Sequence, residues 1–216
     1  MAHLQAAFAD NWMKTRADVL NAEAYFPVLA CVGTSRAQVF KSSPREGADS
    51  ARLMFLLSIA AARQRILIAN AYFVPDARTI TALVAALERG VQVEIIVPGR
   101  HIDTKVTQRA SRSQWGPLLA ADAAIYEYQP TMYHCKVMVV DDCWVSVGSA
   151  NFDNRSFRLN DEANLNAFDR ELADEQAGVF ETDKQSSNRV TMHEWQLRPW
   201  REKAVEKVAG LLRSQV

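Results

Sequence analysis

Two β-branched runs, RILIAN at Arg65 to Asn70 and VQVEIIVPG at Val91 to Gly99, bracket VPDARTITALVAALERG, which reads as a helix closed by Gly90. Strand, helix and strand in that order favour a parallel pair with a right-handed crossover, because a parallel return needs a long connection over the sheet face. The rest of the chain keeps the alternation. AAIYEYQ, HCKVMVVD and CWVSVG each read as a short strand, and Glu162 to Phe168 as another. Helices are expected at Leu4 to Leu20, Ala51 to Arg63, Thr104 to Ala121 with an interruption at Gly116-Pro117, Arg170 to Ser187 and Pro199 to Leu212. The turn formers clustered from Ser42 to Gly47 read as a linker or the border of an active site. The fold class expected from this pattern is α/β, a sandwich whose sheet is mixed, largely parallel and flanked by helices.

With 216 residues and 49% hydrophobic content the chain can bury a sizeable core. Lys plus Arg and Asp plus Glu stand at 25 each, so global charge argues for no polyanionic partner and any phosphate recognition must be local. Cys31, Cys135 and Cys143 are odd in number and lack ligand spacing. That argues against a disulfide framework and a zinc site, and makes a reducing compartment the default. The most apolar run, Leu53 to Ala62, has ten residues, against the roughly 20 that a spanning helix needs. The N-terminus lacks the charged-then-apolar order of a secretory signal. Membrane contact is therefore expected to be peripheral.

The chemistry lies in MYHCKVMVVDDCWVSVGSANFDNRSF, Met132 to Phe157, where polar residues interrupt strand-like runs. On a strand, alternate side chains share a face, so His134 and Lys136 point together and Asp141 points away. An imidazole beside a fixed ammonium suits attack on a phosphodiester: the ring can bond to phosphorus while the cation stabilises the non-bridging oxygens. Gly148, Ser149 and Asn151 follow the next strand, where a turn can present a hydroxyl, backbone N–H groups and an amide to the same oxygens. Either piece alone is an ordinary polar strand face or an ordinary turn. Asp141, on the far side, is expected to be structural.

Taken together, His134-x-Lys136, four residues, Asp141, six residues and Gly148-Ser149-x-Asn151 resemble the HKD motif of the phospholipase D superfamily at every position. The blocks AYFVPD, IIVPGR, ASRSQW, YEYQPTMYHCK, GSANFDNRSFRLNDEANL and RPW are similar, in order, to the C-terminal half of bacterial cardiolipin synthases. The opening residues through EAYFP resemble the end of that family's first catalytic half. Departures are Thr131 where glycine is common, Cys135 where a small residue is common, and Asp161 where an aromatic is usual.

This resemblance implies a phospholipase D α/β sandwich and metal-independent phosphatidyl transfer through a phosphohistidine, with no cofactor. Phosphatidylglycerol would be donor and acceptor, with cardiolipin and glycerol as products, at the cytoplasmic side of the bacterial inner membrane. The catalytic set carried over is His134, Lys136, Asp141 and Glu162, with Ser149 and Asn151 as phosphate-binding residues. Glu162 matches the acid that orients the imidazole, fixing its tautomer and stabilising the imidazolium. Residues 1–40 would be the tail of a preceding HKD half with a linker, and 41–216 the C-terminal HKD domain. A faint similarity between AAFADN at Ala6 and GVFETD at Gly178 points the same way.

His3, His101 and His193 lack a lysine two residues on. Arg100, Lys105, Arg109 and Arg112 could meet headgroups, although helical charges usually form a solvated face. Trp12, Trp195 and Trp200 are expected to be buried in packing, with a membrane interface as the alternative. Arg155 could bind phosphate or form an ion pair.

The motif occurs once, whereas superfamily catalysis uses two, one histidine as nucleophile and one as general acid. The partner is then either an N-terminal HKD half or a second copy of the chain. Two alternatives stay open: a homodimeric single-HKD phosphodiesterase or nuclease, acting on nucleic acid, and a catalytically silent lone half.

Overall fold

The computed structural model describes residues 2–30, 32–43 and 50–211. Cys31 and residues 44–47 of the expected linker lie outside them. Helix α1 (Ala2–Arg16) precedes strand β1 (Arg36–Ser42). There follow α2 (Ser50–Ala61), β2 (Arg65–Asn70), α3 (Ala77–Glu88), β3 (Gln92–Pro98), α4 (Lys105–Ala120) and β4 (Ala124–Tyr128). The second part holds β5 (Lys136–Val140), β6 (Trp144–Gly148), α5 (Asn154–Arg158), β7 (Glu162–Phe168), α6 (Arg170–Gln185), β8 (Ser187–Val190), α7 (Met192–Leu197) and α8 (Trp200–Leu211).

The strands form one sheet in the order β1-β7-β6-β5-β2-β3-β4-β8. It is mixed and flanked by helices, as expected, but it is not largely parallel. Only β2–β3 and β3–β4 pair in parallel, and every other described pairing is antiparallel. Connection length explains this. The two parallel steps each carry a full crossover helix, whereas Asp141 to Cys143 alone join β5 to β6, too short for anything but a hairpin. Strand β1 begins at Arg36 and pairs along its length with β7, so the sheet starts inside the stretch expected as tail and linker.

Period-two alternation divides the apolar side chains between two layers. Ile66, Ile68, Ile95, Met138 and Val140 pack beneath α2, α3 and α4 with Phe55, Phe73, Phe152, Phe157 and Trp115. Leu67, Ala69, Ile96, Val139 and Val145 face the other way, onto Ala173, Ala177 and Phe180 of α6. Each fully buried large side chain stabilises by about 1.5–3 kcal/mol, so these layers hold the sheet edge that bears the site.

Helix α4 runs unbroken through Gly116 and Pro117, against the expected interruption. Pro117 falls near its C-terminal end, and Gly116 lies under the Trp195 ring, where a Cβ would collide. The tryptophans divide. Trp12 and Trp195 are half-buried, and the Trp195 indole donates to the Arg112 carbonyl at 2.9 Å. Trp200, expected in packing, is instead 74% exposed. Among the described residues no helix is long and apolar enough to cross a membrane.

Candidate active site

Strand register delivers the polar residues to one edge of the sheet. Asn70 stands opposite Lys136, Val137 opposite Val147, and Gly148 opposite Asn164. The last residue of β2, the first of β5, the last of β6 and the start of β7 therefore lie side by side. The loops after β2 and β3 open at the same edge, where α/β sheets gather ligands. Gly148 is required by this closeness, because a Cβ there would meet the Ala163 carbonyl oxygen.

Buried Asn70 ties two of these loops together: its Oδ1 accepts from the Tyr72 N–H at 3.2 Å and the Phe152 N–H at 3.3 Å. Above it, Lys136 Nζ lies 5.8 Å from the Tyr72 ring centroid. Nζ is shut from solvent and has no hydrogen-bond partner among the described residues. Burial, the largest influence, lowers the ammonium pKa, and the nearby Cys135 and the carboxylates of Glu162, Asp153 and Asp103 oppose it. An unpartnered buried cation is costly unless an anion completes it. Asn151 repeats the pattern on the neighbouring turn. Its side-chain oxygen is buried and without a hydrogen-bond partner among the described residues, while its backbone N–H donates to Ser156 Oγ at 3.0 Å.

His134 is exposed, two residues before Lys136, with its ring edge-on to Tyr72. Ser149 Oγ donates to the Glu162 carboxylate and accepts from the Ala163 N–H at 3.0 Å. The other Glu162 oxygen accepts from Asn160 at 3.1 Å. Among the described residues Glu162 thus engages Ser149 and Asn160, and it makes no hydrogen bond to His134.

Asp141 sits at the opposite end of β5 from Lys136. Its carboxylate accepts backbone N–H bonds from Arg63 at 2.9 Å, Gln64 at 2.8 Å and Arg65 at 3.1 Å. It pins the start of β2 from the turn after β5, so the length of that strand, and not the alternation of faces expected from the sequence, keeps it apart from His134 and Lys136. Asp161 pairs with Lys14 of α1 at 3.2 Å. Cys135 and Cys143 are free thiols, and burial pushes the Cys135 thiol up.

Three residues escaped sequence reasoning. The Tyr72 hydroxyl donates to Asp103 at 2.5 Å, and burial followed by that bond pushes the phenol up to about 12. Asp153, 3% exposed, caps α5 by accepting from the Ser156 N–H at 2.7 Å. Burial pushes its carboxyl up to about 6. Tyr72 and Asp153 lay inside the blocks AYFVPD and GSANFDNRSFRLNDEANL without any spacing of their own, and Asp103 lay in none of the blocks. Among the described residues no group of three or more His, Cys, Asp or Glu side chains could hold a metal ion.

Chemically, the edge offers an accessible imidazole and a buried ammonium, both against Tyr72, with the polar turn 149–151 after the neighbouring strand, groups suited to a phosphoryl group. Residues 56–184 match the family described as cardiolipin synthase, PLD-like domain. The chain is 33% identical over 211 residues to the cardiolipin synthase of Geobacillus thermodenitrificans, covering 97% of this chain and 42% of that one. It is 34% identical to cardiolipin synthase A of Pseudomonas putida W619, covering 88% and 39%. It thus spans less than half the length of these relatives. Among solved structures it resembles the phospholipase D family member Nuc from Salmonella typhimurium, with TM-score 0.62 at 22% identity, covering 73% of this chain and 99% of that one. It also resembles phosphatidylserine synthase from Haemophilus influenzae, with TM-score 0.67 at 16% identity, covering 87% and 49%. These two likenesses carry the fold alone; the family match and the curated relatives carry more, and the chain belongs to the cardiolipin synthase, PLD-like domain family.

Proposed function

We propose that the chain is the C-terminal catalytic half of a phosphatidyltransferase that moves a phosphatidyl group from phosphatidylglycerol to an acceptor alcohol, at a membrane surface to which it binds peripherally. The observation that carries this is the buried, unpartnered Lys136 Nζ beside His134, the arrangement a phosphodiester's non-bridging oxygens would complete. His134 serves as the general acid that protonates the leaving alkoxide, and the first half supplies the nucleophilic histidine. Ser149 and Asn151 line the phosphate, and Glu162 acts through Ser149. Residues before β1 belong to the tail of the first half. In support, Phe8 of α1 is 55% exposed, whereas Phe180, its counterpart in the similar stretch on α6, is buried.

A second reading has two copies of His134 take both roles in a homodimeric phosphodiesterase. It is supported by the match to Nuc over 99% of that chain, since a fold of this extent exists there as a whole chain. Either way, one imidazole cannot attack phosphorus and donate a proton from the opposite side, so the monomer does not turn over.

The test is cardiolipin and glycerol formation from phosphatidylglycerol vesicles in the presence of chelator, followed against chain concentration, with and without a fragment bearing the first HKD half. Transfer restored by the fragment supports the first reading. Activity that rises with self-dimer formation and ignores the fragment favours the second. Concentration-independent turnover by a verified monomer refutes both.

A further inference from the structure

The C-terminal helix α8 is built inside out. Its polar Glu206 points inward and pairs with Arg198 at 2.5 Å, with both side chains nearly buried. Ala209 packs on Val74 and Ala110. These contacts fix which way the helix is turned. At about 100° per residue, Trp200, Ala204 and Val208 then fall within one arc of roughly 80° on the side away from Glu206 and Ala209. Trp200 is 74% exposed and Val208 61%, and Leu197 at the end of α7, three residues before Trp200, is 68% exposed.

Cations border this stripe. Arg201, Lys203 and Lys207 of α8 and Lys105 and Arg109 of α4 are all exposed, and none forms an ion pair with a described acid. Lys105, Arg109, Arg112 and Arg201 line one groove between the two helices, against two acids there, Glu202 and the Arg198-paired Glu206. That groove starts beside the active site, since α4 begins just after Asp103, the partner of Tyr72. On a chain with no net charge, this is a local concentration of positive charge around exposed apolar surface.

We propose that the outer face of α8, with the basic end of α4, is the surface by which the chain docks on an anionic phospholipid bilayer. Trp200, Val208 and Leu197 enter the interface and the five cations meet headgroup phosphates, which holds the His134 edge near its substrate. The chemistry selects a lipid surface over the other occupants. An exposed Trp and aliphatic stripe bordered by Lys and Arg is what an interfacial helix presents. A second copy of this face would set the unpaired cations against one another. Nucleic acid would use the cations and leave the apolar stripe without a function. The inference rests on the phospholipid reading above only for the identity of the bilayer.

The test is co-sedimentation of the His134→Asn chain with vesicles of phosphatidylcholine alone and of equal parts phosphatidylcholine and phosphatidylglycerol, at low and high salt. The expected result is binding to the anionic vesicles alone, weakened by salt. The pair Arg201→Glu and Lys207→Glu should lower the partition coefficient at least tenfold, at about fivefold per cation. Trp200→Ser should lower it with the fold intact by circular dichroism. Unchanged binding in both variants overturns the proposal. So does loss of self-association or of first-half binding in Trp200→Ser with vesicle binding intact, and so does binding of a DNA oligonucleotide without vesicle binding. Vesicle binding with no transferase activity from the unmodified chain, even with the first-half fragment added or at concentrations where it self-associates, would refute the catalytic reading and leave this one standing.

Discussion

The Tyr72 ring stands edge-on to the His134 imidazole, with centroids 5.6 Å apart and planes at 87°, while its hydroxyl donates to Asp103 at 2.5 Å. The hydrogen bond from Tyr72, the largest influence, holds the Asp103 carboxyl below its ordinary range. At neutral pH the pair is therefore phenol and carboxylate, a wall beside an exposed histidine. Tyr72→Phe keeps the wall and releases Asp103, so kcat should fall by only about tenfold, the low end of the roughly 1.5–3 kcal/mol that one hydrogen bond to a charged group is worth. Tyr72→Ala removes the wall from both His134 and Lys136 and should cost on the order of 10², the penalty of misplacing a reacting group. Steady-state kcat of the assembled enzyme checks this; equal losses in the two variants would assign the positioning to the hydroxyl instead of the ring.

His134 and Lys136 differ in kind. Lys136→Met removes charge stabilisation of the non-bridging oxygens and should leave turnover reduced by about 10²–10³. His134→Asn removes the proton donor or the nucleophile itself and should be worse. Single-turnover assays of both variants at matched concentrations decide the matter. Equal residual rates would strip His134 of its role.

Asp153 gives the protein a pH signature. Its carboxyl is pushed up to about 6, first by burial and then by Glu162 nearby, although the Ser156 bonds pull the other way. A raised acid binds its proton more tightly in the folded state than in the unfolded one. Its contribution is present in full below the unfolded value near 4 and is lost as pH rises through about 6, a total of up to about 3 kcal/mol. Asp153→Asn retains the helix cap and cannot ionise. Denaturant melts from pH 4 to 7 should show the variant gaining on the wild type as pH rises. A constant difference between them would mean that Asp153 titrates normally.

Much of this was legible in the sequence, and the exceptions share a cause. RILIAN and HCKVMVVD form strands on their own apolar pattern, and the HKD spacing marks His134, Lys136 and Asn151 without any structure. Arg36–Ser42 and Ser187–Val190 went unread because they are edge strands with mostly exposed or half-exposed side chains; pairing with β7 and β4 makes them strands, and that is tertiary information. Sheet direction was misjudged because direction follows the loops, and the weight was placed on the βαβ unit over the short hairpin at Asp141. Tyr72, Asp103 and Asp153 come from three separate loops, so no spacing could join them to His134.

Asp141 separates a motif residue from a catalytic one. Three backbone N–H groups converge on its carboxylate, and its own backbone is left-handed, with φ 51°, a conformation that Asp tolerates better than Ala. Asp141→Ala leaves those donors without their acceptor and adds backbone strain. It should destabilise the protein by at least about 2 kcal/mol, since bonds to a charged acceptor are worth about 1.5–3 each. Asp141→Asn keeps one acceptor oxygen and tolerates the backbone, so its loss should be smaller. Because the carboxylate lies at the end of β5 away from Lys136, whatever fraction of either variant folds should turn over at nearly the wild-type rate. The measurements are urea unfolding and kcat per folded molecule. A variant as stable as the wild type but slow in turnover would place Asp141 in the machinery after all.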